Sequence, residues 1–277
     1  MRFVPRLSEV GTHWVMQNTG PTSLFSDQSA GEGGVEQGAG AGAMSARATD
    51  VAQMPPKNNA PSRSGQRRLD PRVTLLETQC VKLSLSILSR SNAPARSLGF
   101  TSAVPGEGKS FLATLTARAL ARQSQLPITL LDCNWERPTL HNVFDVPATP
   151  GLAEWLRQEC SLDDIRHVVA PGLTVIPAGD TAQDTVALTS ALKARGAQSL
   201  LVYPDEALIV DMPAVLTTSY GALLAQQIDA VLLVVRAGAT WDSYVQEATY
   251  ELNASAVEGV VLNATRSRIP QWLQRIL

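Results

Sequence analysis

Ala103-Val104-Pro105-Gly106-Glu107-Gly108-Lys109-Ser110 is the stretch whose reading decides the fold. With alanine for the leading glycine, it fits the phosphate-loop pattern small-x-x-x-x-Gly-Lys-Ser. Gly106 and Gly108 let the backbone turn tightly and point N–H groups at phosphate oxygens. Lys109 would reach the β- and γ-phosphates. Ser110 would place its hydroxyl on Mg²⁺, and the following helix adds its positive N-terminal end. Pro105 to Phe111 (Pro105, Gly106, Glu107, Gly108, Lys109, Ser110, Phe111) are therefore the expected nucleotide-binding residues.

The flanks supply the required order of strand, loop and helix. Residues 98–102 suit a short strand. Residues 110–122 suit a helix with Leu112, Leu115, Ala119 and Leu120 on one face. An ordinary glycine-rich turn is the bland alternative.

Outward from the loop, the apolar run 128–131 suits a buried parallel strand ending on Asp132. Asp132 then lies where open α/β sheets bind ligands. Ala207-Leu208-Ile209-Val210 leads in the same way into Asp211, as a Walker B strand does. Asp211 would hold Mg²⁺ directly or through water, and Pro213 should take the chain out of the strand. Residues 173–176, 230–235 and 257–262 complete the expected strands. Helices are expected near 139–144, 151–157, 184–195, 217–227, 242–252 and 269–277. Alternating strands and helices imply an α/β fold of the P-loop NTPase kind, a mostly parallel sheet with helices on both faces. Asn263 ends the last strand, where its amide either reads an adenine edge or caps a turn.

The bulk numbers bound the rest. The chain has 277 residues and a net charge of −2. That leaves room for one large domain, at 71–277, plus a tail. Residues 1–70, glycine-rich and then proline-rich, lack a hydrophobic period and read as a disordered tail. Within 71–89, Leu76, Cys80, Leu83 and Ile87 make a helical stripe. It docks on its own domain or, alternatively, on a second subunit. Near-neutral charge gives no argument for nucleic acid. Cys80, Cys133 and Cys160 are odd in number and widely spaced, which suits a reducing compartment. No apolar run approaches a membrane span, so the expected location is cytoplasmic.

Residues 102–110 (SAVPGEGKS), 130–138 (LLDCNWERP) and, less strictly, 209–216 (IVDMPAVL) together resemble bacterial tyrosine kinases of the CpsD/CapB type. These are P-loop proteins of capsule and exopolysaccharide assembly. The resemblance covers about residues 71–268. It implies ATP and Mg²⁺ as cofactors, with Lys109 and Ser110 holding them. It makes Asp132 the start of the second acidic motif, Asp-x-Asp, and Asp211 part of the third. Lys109, Asp132 and Asp211 would then be catalytic, with Ser110, Asp132 and Asp211 on the metal. It also implies a membrane activator on a separate chain, through which the protein would reach the membrane. The related MinD/ParA ATPases carry a signature lysine where Val104 stands here.

This sequence departs from that family at four points. The second acid of Asp-x-Asp is Asn134, which carries no charge and accepts no proton. Glu136 replaces a usual arginine, although Arg137 remains. Tyr250 is the last tyrosine, so the tyrosine-rich tail is missing. Cys80 and Leu83 stand where the arginine oligomerisation motif would follow Glu77. The expected function is a tyrosine-kinase-like ATPase of polysaccharide assembly, weakened at Asn134. The rivals are an ATP-dependent binding module and a positioning ATPase.

Overall fold

Alternation within single strands lays out the layers. In the central strands, neighbouring apolar residues point to opposite faces of one sheet and both are buried, as a two-sided parallel sheet requires. The computed structural model describes residues 16–17, 71–89, 95–124, 126–181, 185–252 and 257–264. Eight strands run in the order β1-β8-β7-β2-β6-β3-β5-β4. They are β1 (Met16–Gln17), β2 (Ser97–Ser102), β3 (Ile128–Asp132), β4 (His167–Ala170), β5 (Leu173–Ile176), β6 (Ala207–Ala214), β7 (Ala230–Arg236) and β8 (Val257–Asn263). Every pairing is parallel except β4 with β5.

Leu98, Leu130, Ile209 and Leu232 face two long helices, α1 (Pro71–Leu88) and α2 (Lys109–Gln123). The stripe Leu76, Cys80, Leu83 and Ile87 packs there, on its own domain, beside Leu112, Leu115, Ala119 and Leu120. Leu131, Val210 and Leu233 face the other way. That side is covered by α4 (Leu152–Leu156), α6 (Thr185–Arg195), α7 (Gly221–Ala225) and α8 (Asp242–Glu251). Each fully buried Leu, Ile or Val contributes roughly 1.5–3 kcal/mol over an exposed one, so both layers are firmly anchored. Two further short helices, α3 (Leu140–Phe144) and α5 (Leu162–Ile165), lie in the connections.

The expected α/β fold, mostly parallel with helices on both faces, is the one observed. Several details differ from the sequence reading. Strand β6 does not stop at Pro213 but runs to Ala214. The register of β2 shifts between Phe100 and Ser102, so pairing resumes at Ser102 with Ala214. Thr101 Oγ1 donates to the Pro213 carbonyl at 2.6 Å, so the proline still contributes an acceptor. The helix expected at 217–227 is broken into a 3₁₀ turn at Val215–Thr217 and the five-residue α7. Thr218 is extended there, and its hydroxyl bonds the Ala214 carbonyl at 2.8 Å. Such a bond competes with helix continuation. Neither α5 nor β4 was anticipated. Within the expected tail, Met16–Gln17 pair with Val261 and Leu262 of β8. The rest of 1–70 and the expected helix at 269–277 lie outside the described residues.

Candidate functional site

The loop between β2 and α2 sits at the carboxyl end of the sheet's centre, beside the ends of β6 and β7. Gly108 is the N-cap of α2, at φ 93°, with no side chain capping the first turn. The opening N–H groups of a fifteen-residue helix are thus left for an anion. Any Cβ at Gly108 would meet Asn263 Nδ2 at 2.1 Å, so space as well as φ requires glycine. At Gly106, φ 85°, nothing lies within 4 Å of a Cβ position, and it and Pro105 are exposed at the mouth of the site. Phe111 instead packs partly buried in the α1/α2 layer.

Two residues expected to meet nucleotide, Glu107 of the loop and Asn263 at the end of β8, are engaged within the protein. Glu107 is only 2% exposed. Its Oε2 accepts from the Val104 N–H at 3.1 Å. Its Oε1 accepts from the Arg236 N–H at 3.3 Å and from the Thr240 hydroxyl. Only its backbone is left for phosphate. Asn263 donates from Nδ2 to the Glu107 carbonyl at 2.8 Å, and its Oδ1 accepts from the Ala264 N–H at 2.9 Å. Its amide clamps the loop from the end of β8, which is the turn-holding role of the two weighed for it. The sequence reading missed Thr240 and Arg236, the far ends of this clamp.

Lys109, Asp132 and Asp211 are all buried, and the two acids are register partners on β3 and β6. Asp132 is heavily engaged. Its Oδ1 accepts from the Asn134 N–H at 3.1 Å, and its Oδ2 from the Thr139 and Leu140 N–H groups, each at 3.0 Å. Neither oxygen of Asp211 has a hydrogen-bond partner of ordinary geometry among the described residues. A buried carboxylate left unpaired is costly, and it is poised to bind a cation. Ser110, at the start of the same helix, is half-buried. This constellation fits Mg²⁺ held between Ser110, Asp211 and a phosphate.

Burial pushes the Asp211 carboxyl up to about 7. Lys109 and the Ser110 hydroxyl pull it down, and Asp132 adds to the rise. Burial also pushes Asp132 up to about 6, against its three backbone donors and Lys109. An acid whose folded pKa is raised binds its proton more tightly in the native state. Stability is then fullest below the unfolded value of about 4 and falls as pH climbs to about 7. The nucleotide-free protein should therefore lose Tm between about pH 5 and 7.5, and Asp211→Asn should flatten that slope. Thermal unfolding across the range checks it; equal slopes would contradict the assignment.

No family model matches the chain. It is 31% identical over 160 residues to the tyrosine-protein kinase Ptk of Acinetobacter johnsonii, an overlap of 57% of this chain and 21% of that protein. It is 27% identical over 179 residues to the tyrosine-protein kinase CpsD of Streptococcus agalactiae, covering 63% and 77% respectively. In space it matches the kinase domain of the Escherichia coli tyrosine kinase ETK with TM-score 0.63 and 25% identity, over 73% of this chain and 79% of that one. It is a relative of the bacterial tyrosine kinases of the CpsD type. The chain spans about a fifth of the length of Ptk.

Set beside these bacterial tyrosine kinases, the altered acidic motif has a clear local role. Asn134 is 7% exposed, and its Nδ2 donates to the Arg137 carbonyl at 2.9 Å. The Arg137 N–H donates in turn to the Asn134 carbonyl at 3.0 Å. The side-chain amide adds a donor to a turn that the backbone already closes, where a carboxylate could only accept. The neighbouring Trp135 stacks on Tyr220, with centroids 5.2 Å apart and both rings buried. The pair ties the loop after Asp132 to the segment after Asp211. Of the tyrosines in this kinase relative, Tyr220 is inaccessible, whereas Tyr203, Tyr244 and Tyr250 are exposed. Among the described residues, no helix is long and apolar enough to cross a membrane.

Proposed function

We propose that the protein binds ATP with Mg²⁺ and transfers phosphoryl groups to tyrosine, in the assembly of capsule or exopolysaccharide, with that transfer weakened. The observation that carries the reading is a buried lysine beside a buried carboxylate that has no hydrogen-bond partner of ordinary geometry among the described residues, at the foot of an uncapped helix. Lys109 and the backbone of residues 105–110 would hold the phosphates. Ser110 and Asp211 would hold the metal, and bound Mg²⁺ would supply charge neutralisation at the phosphates. Asp132 orders the loop that follows it, through Asn134, Thr139 and Leu140, and so shapes the wall of the site. An activator on a separate membrane chain would fit the activity to polymer assembly.

A second reading is favoured by Asn134. With that side chain in a turn and Asp132 satisfied by backbone, little is left to accept a proton from tyrosine. The protein would then act as a nucleotide-dependent binding module for the same partner. Titration of Mg-ATP followed by a phosphotyrosine assay separates the two. ATP binding with phosphate on tyrosine supports the kinase; binding alone supports the module. Lys109→Ala should weaken ATP binding by about 10–100-fold, the worth of hydrogen bonds to a charged group. Undiminished binding in that variant would defeat both readings.

A further inference from the structure

A cavity of about 500 Å³ lies between the second half of α2, the end of α3 and the β4–β5 hairpin. Its walls include Arg118, Arg122, Phe144, Val169, Pro171 and Leu173. That size and mixture of apolar wall with few polar groups are those of a small-molecule site. Arg118 lies nine residues beyond Lys109 on α2, roughly 13 Å along the helix at 1.5 Å per residue. The cavity is therefore separate from the phosphate loop.

The charges here are unevenly matched. Arg122 is paired with Glu77 of α1 at 2.5 Å. Arg118 makes no ion pair among the described residues. Its guanidinium lies 4.5 Å from the centroid of the Phe144 ring, and Nη2 reaches the Val143 carbonyl at 3.5 Å. The stacked, half-buried cation is thus held in one orientation, with no carboxylate paired to it among the described residues, next to Val169 and Leu173. An arginine fork of this kind matches the oxygens of a phosphate or carboxylate, and the apolar wall asks for a hydrocarbon body.

We propose that this cleft binds a small organic anion, a phosphate or carboxylate head on an aryl or alkyl body, with Arg118 as its principal anchor. Arg122 adds a second positive charge, partly offset by Glu77. The site is independent of the nucleotide reading but is connected to it. The first N–H of α3, at Leu140, bonds Asp132, and the last residue of α3 is Phe144. An occupant resting against Phe144 therefore bears on a helix that Asp132 holds. Any resulting effect on nucleotide affinity would be reciprocal.

Phenyl phosphate and benzoate serve as probes, titrated by NMR or calorimetry into the full chain. At least one should bind with a dissociation constant in the millimolar range or tighter, as suits so small a ligand. The tighter of the two names the head group. Phenol and inorganic phosphate should each bind at least about tenfold more weakly, because each lacks half of the recognition. Arg118→Gln should weaken probe binding at least about tenfold, while Lys109→Ala leaves it unchanged. Pro171→Glu, in the exposed hairpin turn, places a carboxylate at the mouth and should have the same effect without touching the core. Equal binding by wild type, Arg118→Gln and Pro171→Glu would overturn the proposal. So would loss of binding in Lys109→Ala, which would put the anion in the phosphate loop, or failure of both probes to bind.

Discussion

Asn134→Asp should raise phosphoryl transfer to tyrosine by about 10²-fold or more, the usual contribution of a positioned general base. The gain has a structural cost. Aspartate cannot donate to the Arg137 carbonyl as the Asn134 amide does at 2.9 Å. It would also add a carboxylate two residues from Asp132, whose pKa burial has already pushed up to about 6. Loss of one buried hydrogen bond and repulsion between the acids should together lower the stability of the nucleotide-free protein by about 1–3 kcal/mol. Mg-ATP should recover part of that loss, because ligand binding stabilises the native state by mass action. Single-turnover transfer and denaturation with and without Mg-ATP measure the two halves. A variant that becomes less stable without any gain in transfer would show that the missing acid is not what limits the chemistry. The binding-module reading would then stand.

The fold was legible because its strongest signals are local. Gly106, Gly108 and Lys109 lie within four residues, and the runs ending on Asp132 and Asp211 need no knowledge of their neighbours. The burial of Leu130 and Leu131 on opposite faces follows from the period of a strand alone. What sequence could not reach is the set of contacts that gives those residues their roles. Glu107 resembles any acid in an exposed loop until Arg236 and Thr240 arrive from the end of β7. Asn263 stands at the site as its place after the last strand suggests, but its bond to the Glu107 carbonyl, 156 residues away, has no local signal. Trp135 and Tyr220 meet across 85 residues with no shared motif. Pro213 misled for the same reason, since a register shift in another strand lets β6 continue past it. Asn134 was recognised as a substitution, but its bond to Arg137 makes it a structural part of the turn as well as a missing acid.

Glu206→Ala should destabilise the protein by about 3–5 kcal/mol, the penalty for leaving one partner of a buried ion pair uncompensated. Glu206 sits just before β6, at the end of the sheet away from the phosphate loop, and is 2% exposed. Its Oε1 accepts from Arg166 Nη2 at 2.6 Å and from the Thr129 hydroxyl. Its Oε2 accepts from the Val202 and Tyr203 N–H groups at 2.7 and 3.1 Å. Arg166 in turn donates to the Leu200 carbonyl at 2.6 Å. One carboxylate thus joins β3, the lead-in to β4 and the connection before β6. Burial alone would raise its pKa, yet Arg166, Thr129 and the two backbone donors bring it below the ordinary value. Its contribution is therefore present above the unfolded pKa and lost as the solution turns acid. Removing the acid leaves Arg166 charged and enclosed, with four donors unsatisfied at once. Since a domain's whole stability is only about 5–15 kcal/mol, the loss should appear as a large fall in denaturation midpoint at unchanged slope. The double variant Glu206→Leu with Arg166→Met should recover only part of it: the stranded charge goes, but Thr129 and the Val202 and Tyr203 N–H groups still lack their acceptor. A single variant within about 1 kcal/mol of wild type, the scale of an exposed pair, would mean that water reaches the network and that the carboxylate is not the strut it appears from its bonds to be.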